Sequence, residues 1–167
     1  YRKRIMAAAA AGFMGLSIMY APGISYAAEV WEMEDGAYRM ADGTAITGAI
    51  ARGIAVSHWQ QTIDWDQVAA DDVSFVMLGT RYQGKEDPRF DYNATEAHKR
   101  GIKLGAYIYS YATSVEEAEA EADFILDLVK DYPISFPIAF DAEDAGTLGT
   151  LSPSQVSDVI NAFCRKI

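Results

Sequence analysis

Pro137-Ile138-Ala139-Phe140-Asp141-Ala142-Glu143-Asp144 runs an apolar segment directly into three carboxylates. Strands that are apolar on nearly every residue, rather than on alternate ones, belong to parallel sheets covered on both faces. Working outward from 136–141, three earlier segments share that character: 53–57, 74–80 and 103–111. Helical patterns fall between and after them, at 66–70, 94–100, 115–132 and 153–167. The third is the clearest, because Val115, Ala118, Ala122, Ile125 and Val129 recur at spacings of three and four and leave Glu116, Glu117 and Glu119 on a solvated face. Ser114-Val115-Glu116-Glu117 and Ser152-Pro153-Ser154-Gln155 read as capping boxes, the second with Pro at the first helical position. Asn93-Ala94-Thr95-Glu96 is a weaker version, and Gly101 supplies a stop. Four successive strand–helix units predict right-handed crossovers and an α/β fold with a parallel sheet, either open and doubly wound or part of a (β/α) barrel. No Gly-x-Gly-x-x-Gly follows the first strand and no glycine-rich phosphate loop with Lys occurs, which disfavours nucleotide-binding folds.

The flanking sequence is of another kind. Residues 1–27 read as a secretory signal: Arg2, Lys3 and Arg4 open it, an apolar stretch covers 5–19, and Pro22-Gly23 and Ser25-Tyr26-Ala27 supply a break and small residues for cleavage. The apolar run is short for spanning a bilayer, so export without stable membrane insertion is expected. Residues 28–51 form a lead-in, with Asp42-Gly43 as a hairpin signal. The formal net charge of −10 becomes −13 once the basic start is removed. An acidic body lacks the basic surface that a nucleic-acid partner needs. The single Cys164 excludes an internal disulfide; with Ile160, Phe163 and Ile167 nearby it reads as a buried structural thiol.

The acids at the end of the fourth strand are the candidate chemistry. In parallel α/β folds, sites are built at the C-terminal ends of strands. Asp141 and Glu143 would share a face of an extended strand, about 6.5 Å apart along it. Two carboxyls so placed cannot ionise independently, so one pKa should rise, giving a proton donor beside a charged partner. Glycosidic bond cleavage uses that division of labour. A solvated acidic loop and a Mg²⁺ or Ca²⁺ site are the alternatives at this point. With only His58 and His98 and no metal-ligand spacing, the sequence calls for no metal and no cofactor.

Further segments narrow the choice. Gly53-Ile54-Ala55-Val56-Ser57-His58-Trp59-Gln60 followed by Ile63-Asp64-Trp65 resembles the opening of glycoside hydrolase family 25 lysozymes, where a first strand ends in Asp-Val-Ser and Trp-Gln and Ile-Asp-Trp follow. In the same order come Phe75-Val76-Met77-Leu78, Asp91-Tyr92-Asn93, Gly101-Ile102-Lys103-Leu104-Gly105-Ala106-Tyr107 and the Pro-x-x-x-Asp-x-Glu pattern of 137–143. The resemblance covers about 52–167 and implies the N-terminal part of a modified (β/α) barrel that cleaves β-1,4 bonds after N-acetylmuramic acid in bacterial cell-wall peptidoglycan. It implies Glu143 as general acid and then base, and Asp141 as the residue assisting the 2-acetamido group in its attack on the anomeric carbon. Tyr107 and Tyr109, two apart on strand three, are candidate substrate-binding residues, although filling the barrel would also explain them. Trp59 and Trp65 read as packing residues, and His58 as a loop residue.

Two departures qualify what the resemblance implies. Ala55 stands where the family pattern has Asp, so a third carboxylate is missing from the mouth of the site. Only four strand–helix units fit, which leaves a partial barrel with open edges and leads one to expect a piece of a longer protein. The expectations are therefore a secreted or cell-wall-associated peptidoglycan hydrolase, with a catalytically weakened wall-glycan-binding protein as the rival and a metal-dependent hydrolase a distant third.

Overall fold

A computed structural model describes residues 32–40 and 42–167, and the chain divides into two compact units, Tyr1–Thr47 and Gly48–Ile167. The signal expected over 1–27 lies outside the described residues. Within the first unit, strands β1 (Glu32–Glu34) and β2 (Ala37–Arg39) pair antiparallel. Asp35 and Gly36 join them with φ of 51° and 76°, the left-handed pair that a two-residue hairpin turn needs. The tight hairpin turn thus precedes the expected Asp42-Gly43, which makes a second reversal bringing Ala45 to bridge Arg39. There the Asp42 carboxylate accepts the Thr44 N–H at 2.9 Å.

The second unit alternates strand and helix: β3 (Gly53–Val56), α1 (Trp65–Ala70), β4 (Phe75–Gly79), a small hairpin of β5 (Arg81–Tyr82) and β6 (Lys85–Glu86), α2 (Phe90–Lys99), β7 (Lys103–Tyr109), α3 (Val115–Val129), β8 (Ile134–Asp141) and α4 (Pro153–Lys166). The sheet has the order β3-β4-β7-β8 and every pairing is parallel. It is the α/β architecture expected, a partial (β/α) barrel whose described strands do not close; β3 and β8 are its edges.

One face of this sheet is buried by the helices. Val56, Val76, Leu78, Leu104, Ala106 and Ile108 join Phe90, Ala97, Ala118, Ile125, Val159 and Phe163 in one apolar core, and Phe140 meets Phe163 at 4.8 Å. The other face carries Gly53, Ala55, Met77, Gly105, Tyr107 and Tyr109, whose alternation with the core residues follows from the two-residue period of a strand. A Cβ at Gly105 would lie 2.5 Å from Met77 Sδ and 2.9 Å from Phe136 Cβ, so this close approach requires glycine. β8 is out of step with β7 here: Leu104 pairs with Ile134, but Ala106 pairs with Ile138. Pro137, which has no N–H to give a ladder, falls in that irregularity on an edge strand. The same irregularity lets Phe136 stack on Phe75 at 4.2 Å and 13°.

Several boundaries differ from expectation. The Ser152 box forms in full, with Gln155 N–H donating to Ser152 Oγ and Ser152 N–H to Gln155 Oε1 at 3.0 Å. At Ser114 only half forms; the Glu117 carboxylate instead accepts from Thr113 N–H at 2.6 Å, one residue further out. Helix α2 starts at Phe90, and Asn93 is buried inside it rather than capping it. Asp87 organises that start, accepting Arg89 N–H at 2.8 Å through its side chain and Phe90 N–H at 2.9 Å through its carbonyl. Helix α3 stops at Val129, three residues early, and Cys164 is half-buried against the core rather than buried. Among the described residues no helix is long and apolar enough to cross a membrane.

Candidate active site

The C-terminal ends of the four parallel strands bring together Ser57 after β3, Gly79 ending β4, Tyr107 and Tyr109 on β7, and Asp141 ending β8. β8 stops at Asp141, so Glu143 lies in the following loop and not on the extended strand that its spacing suggested. The two acids remain coupled all the same. The Asp141 carboxylate accepts the Glu143 backbone N–H and feels the Glu143 charge. Asp141 is half-buried and Glu143 exposed. Burial first, and the Glu143 charge second, push the Asp141 pKa above the usual carboxylate value. One acid of the pair is raised, as expected, but it is Asp141, the inner member, and not Glu143, which the family resemblance makes the proton donor.

Tyr107 links the two edges of this site. Its hydroxyl crosses over Gly79 to reach Ser57; a Cβ on Gly79 would stand 3.0 Å from that oxygen and 2.9 Å from Ser57 Cβ. Gly79 is thus the gap through which β7 meets the exit of β3. Burial raises the Tyr107 pKa, a hydrogen bond with Ser57 works against this, and the charges of Asp141, Asp87 and Glu143 raise it further. A neutral phenol bordered by three carboxylates is a hydrogen-bond donor to an incoming oxygen and not a base.

Tyr109, on the same face, donates to Asp144 Oδ1 at 3.4 Å and packs against Tyr111 at 5.3 Å. Burial and the Asp144 charge raise its pKa as well. Asp144 also accepts Thr147 Oγ1–H at 2.9 Å, which fixes the loop after β8. The third acid of the motif therefore holds loop and tyrosine in place. All four residues singled out from the sequence, Asp141, Glu143, Tyr107 and Tyr109, lie at this one end of the sheet. Ala55 is exposed on the same face, in register with Met77.

Beside this cluster is an arrangement that the sequence did not reveal. Asp87 Oδ2 accepts His58 N–H at 3.0 Å and lies 2.7 Å from His58 Nδ1, and the Asp87 side chain is wholly buried. The Asp87-Pro88 pair was a usable helix-start signal. Its link to a histidine on the turn after β3 was not. Trp65 is buried in the core as expected, 1% exposed, but Trp59 is 69% exposed and so does not have the packing role assigned to it.

Fold and site together define a parallel α/β protein with one carboxylic acid at the end of its fourth parallel strand and a second in the loop that follows. Residues 54–167 match the pattern of glycosyl hydrolases family 25, and the chain belongs to that family. Over 72 residues it is 40% identical to lysozyme M1 of Streptomyces globisporus, a match covering 41% of this chain and 23% of that protein. Among solved structures it resembles the modular autolysin LytC of Streptococcus pneumoniae, in complex with a synthetic peptidoglycan ligand, with TM-score 0.68 and 25% identity over 81% of this chain and 34% of that one. It also resembles the bacterial lysozyme of Streptomyces coelicolor, with TM-score 0.56 and 30% identity over 71% of this chain and 58% of that one. The chain thus matches less than two thirds of the length of each of these relatives.

Proposed function

We propose that this protein is an exported peptidoglycan hydrolase that cleaves the β-1,4 bond between N-acetylmuramic acid and N-acetylglucosamine with retention. The observation that carries the reading is the placement of Asp141 at the C-terminal end of β8 with Glu143 two residues on in the following loop, in a chain of this family. Glu143, exposed at the rim, protonates the leaving oxygen as the bond breaks. Asp141 accepts a hydrogen bond from the 2-acetamido N–H, so that the acetamido oxygen attacks the anomeric carbon and closes a ring. Water then adds with Glu143 as base, which restores the acetamido group and gives the product hemiacetal. Tyr107 and Tyr109 donate hydrogen bonds or offer ring faces to the sugar. The site works outside the cell or in the wall, its partner is cell-wall peptidoglycan, and the 1–27 segment directs export.

A second reading has its own observation. The exposed Ala55 offers a methyl group where the family pattern has a carboxylate, so the protein would hold wall glycan with little or no turnover. Reducing-end release from purified peptidoglycan separates the two. Hydrolysis lost in Glu143→Gln supports the first reading. Saturable binding without release, unchanged by Ala55→Asp, supports the second.

A further inference from the structure

Trp59 lies on the helical turn that follows β3, at the same end of the sheet as Asp141, with most of its indole open to solvent. The exposure is not a consequence of local disorder. Ser57 Oγ accepts Trp59 N–H at 3.3 Å and Gln60 Oε1 accepts Ser57 N–H at 2.8 Å, closing a capping box around the turn. Beneath the indole, His58 is pinned by its two contacts to the buried Asp87. The His58 ring packs at a tilt of 41° against both Trp59, at 4.5 Å, and Tyr82, at 3.9 Å, and Tyr82 meets Trp59 edge-on at 5.9 Å. A rigid, backed aromatic surface is what a sugar ring's C–H face needs, since its ordering cost is already met in the free protein.

We infer that Trp59 is a stacking platform for a pyranose ring of a bound glycan, some sugar units away from the bond that Asp141 and Glu143 act on, and that the Asp87–His58 pair positions it. The inference rests on the glycan-cleaving reading above for the orientation of the ligand. The placement follows from the sheet: β3 and β8 are three strand spacings apart, so the platform stands about 14 Å across the sheet from the acids. Between them Tyr107, half-buried on β7, is hydrogen-bonded to Ser57 at the foot of the turn that carries Trp59. An uncharged indole suits a neutral polysaccharide, which the acidic chain does not repel.

The test uses the full chain carrying Glu143→Gln, titrated with β-1,4-linked N-acetylglucosamine oligosaccharides of increasing length while tryptophan emission is followed. Long oligomers are expected to shift the Trp59 component, defined by subtraction of a Trp59→Phe variant. Trp59→Ala should weaken long oligomers roughly tenfold and leave the disaccharide unaffected, and Trp59→Phe should recover part of the loss. Asp87→Asn should lower the fluorescence anisotropy of Trp59 and weaken only long oligomers; unchanged anisotropy would remove Asp87 and His58 from the inference. Equal affinity of Trp59→Ala and its parent for every length would overturn the platform while leaving wall hydrolysis intact. A Trp59 response to long oligomers, where the protein with Glu143 intact never clears peptidoglycan even with Ala55→Asp, would uphold the platform and remove the cleavage reading.

Discussion

Asp141 holds its proton more tightly than an ordinary aspartate because strand β8 carries it half out of water and then turns so that Glu143 follows at once. Removing the Glu143 charge takes away one of the two raising causes. Glu143→Gln is therefore expected to move the Asp141 pKa down, seen as an earlier carboxyl titration by NMR. Linkage gives a second expectation. A folded-state pKa raised above the unfolded value contributes stability below about pH 4 and loses it as pH rises through the folded value. Asp141→Asn should accordingly raise the melting temperature at neutral pH, with the gain disappearing in acid. The acid pair was legible because an apolar strand running into carboxylates is a local pattern. Asp87 was not, since its partner His58 is 29 positions away in the sequence. Nothing local marked Gly79 either. Gly79→Ala is expected to push Tyr107 off Ser57 at a cost of about 1–3 kcal/mol in urea unfolding.

Elements were read well where periodicity and capping agree. Helix α4 begins at Ser152-Pro153 as expected because side chain and backbone satisfy each other within four residues. Ser152→Ala should cost about 1 kcal/mol by thermal or urea unfolding. The start of α2 was misplaced because its organiser, Asp87, lies before an Arg89 that makes no side-chain cap. The β5–β6 hairpin escaped notice because its strands are two residues each and carry no apolar alternation. That hairpin nonetheless delivers Arg81, which donates to Tyr109 O at 2.8 Å and pairs with Glu121 at 2.6 Å. Both side chains are largely buried, and Tyr111 N–H also donates to Glu121. Breaking such a pair leaves an uncompensated charge, so Arg81→Met is expected to destabilise the fold by about 3 kcal/mol and to loosen the C-terminal end of β7. Urea unfolding, together with the hydrogen-exchange protection of the Tyr111 amide, would measure both.

At the scale of the whole molecule, the parallel sheet β3-β4-β7-β8 packs one face against the helices and turns Tyr107 and Tyr109 to the other. That arrangement was implied by four strand–helix units, because right-handed crossovers leave few other topologies. The phosphate-rich partners that an acidic chain disfavours play no part in the reading, and neutral wall glycan fits it. What local pattern could not supply was the three-dimensional register that aims Tyr107 at Ser57 and places an exposed Trp59 at the far edge. The central claim is that Asp141 and Glu143 act as one glycan-cleaving pair. It is tested most directly by following the turbidity and reducing ends of purified peptidoglycan with the parent protein, with Glu143→Gln and with Glu117→Gln, each also in an Ala55→Asp background. The account predicts clearing that Glu117→Gln keeps and Glu143→Gln abolishes. Clearing that persists in Glu143→Gln, or the absence of any clearing even with Ala55→Asp, would contradict it.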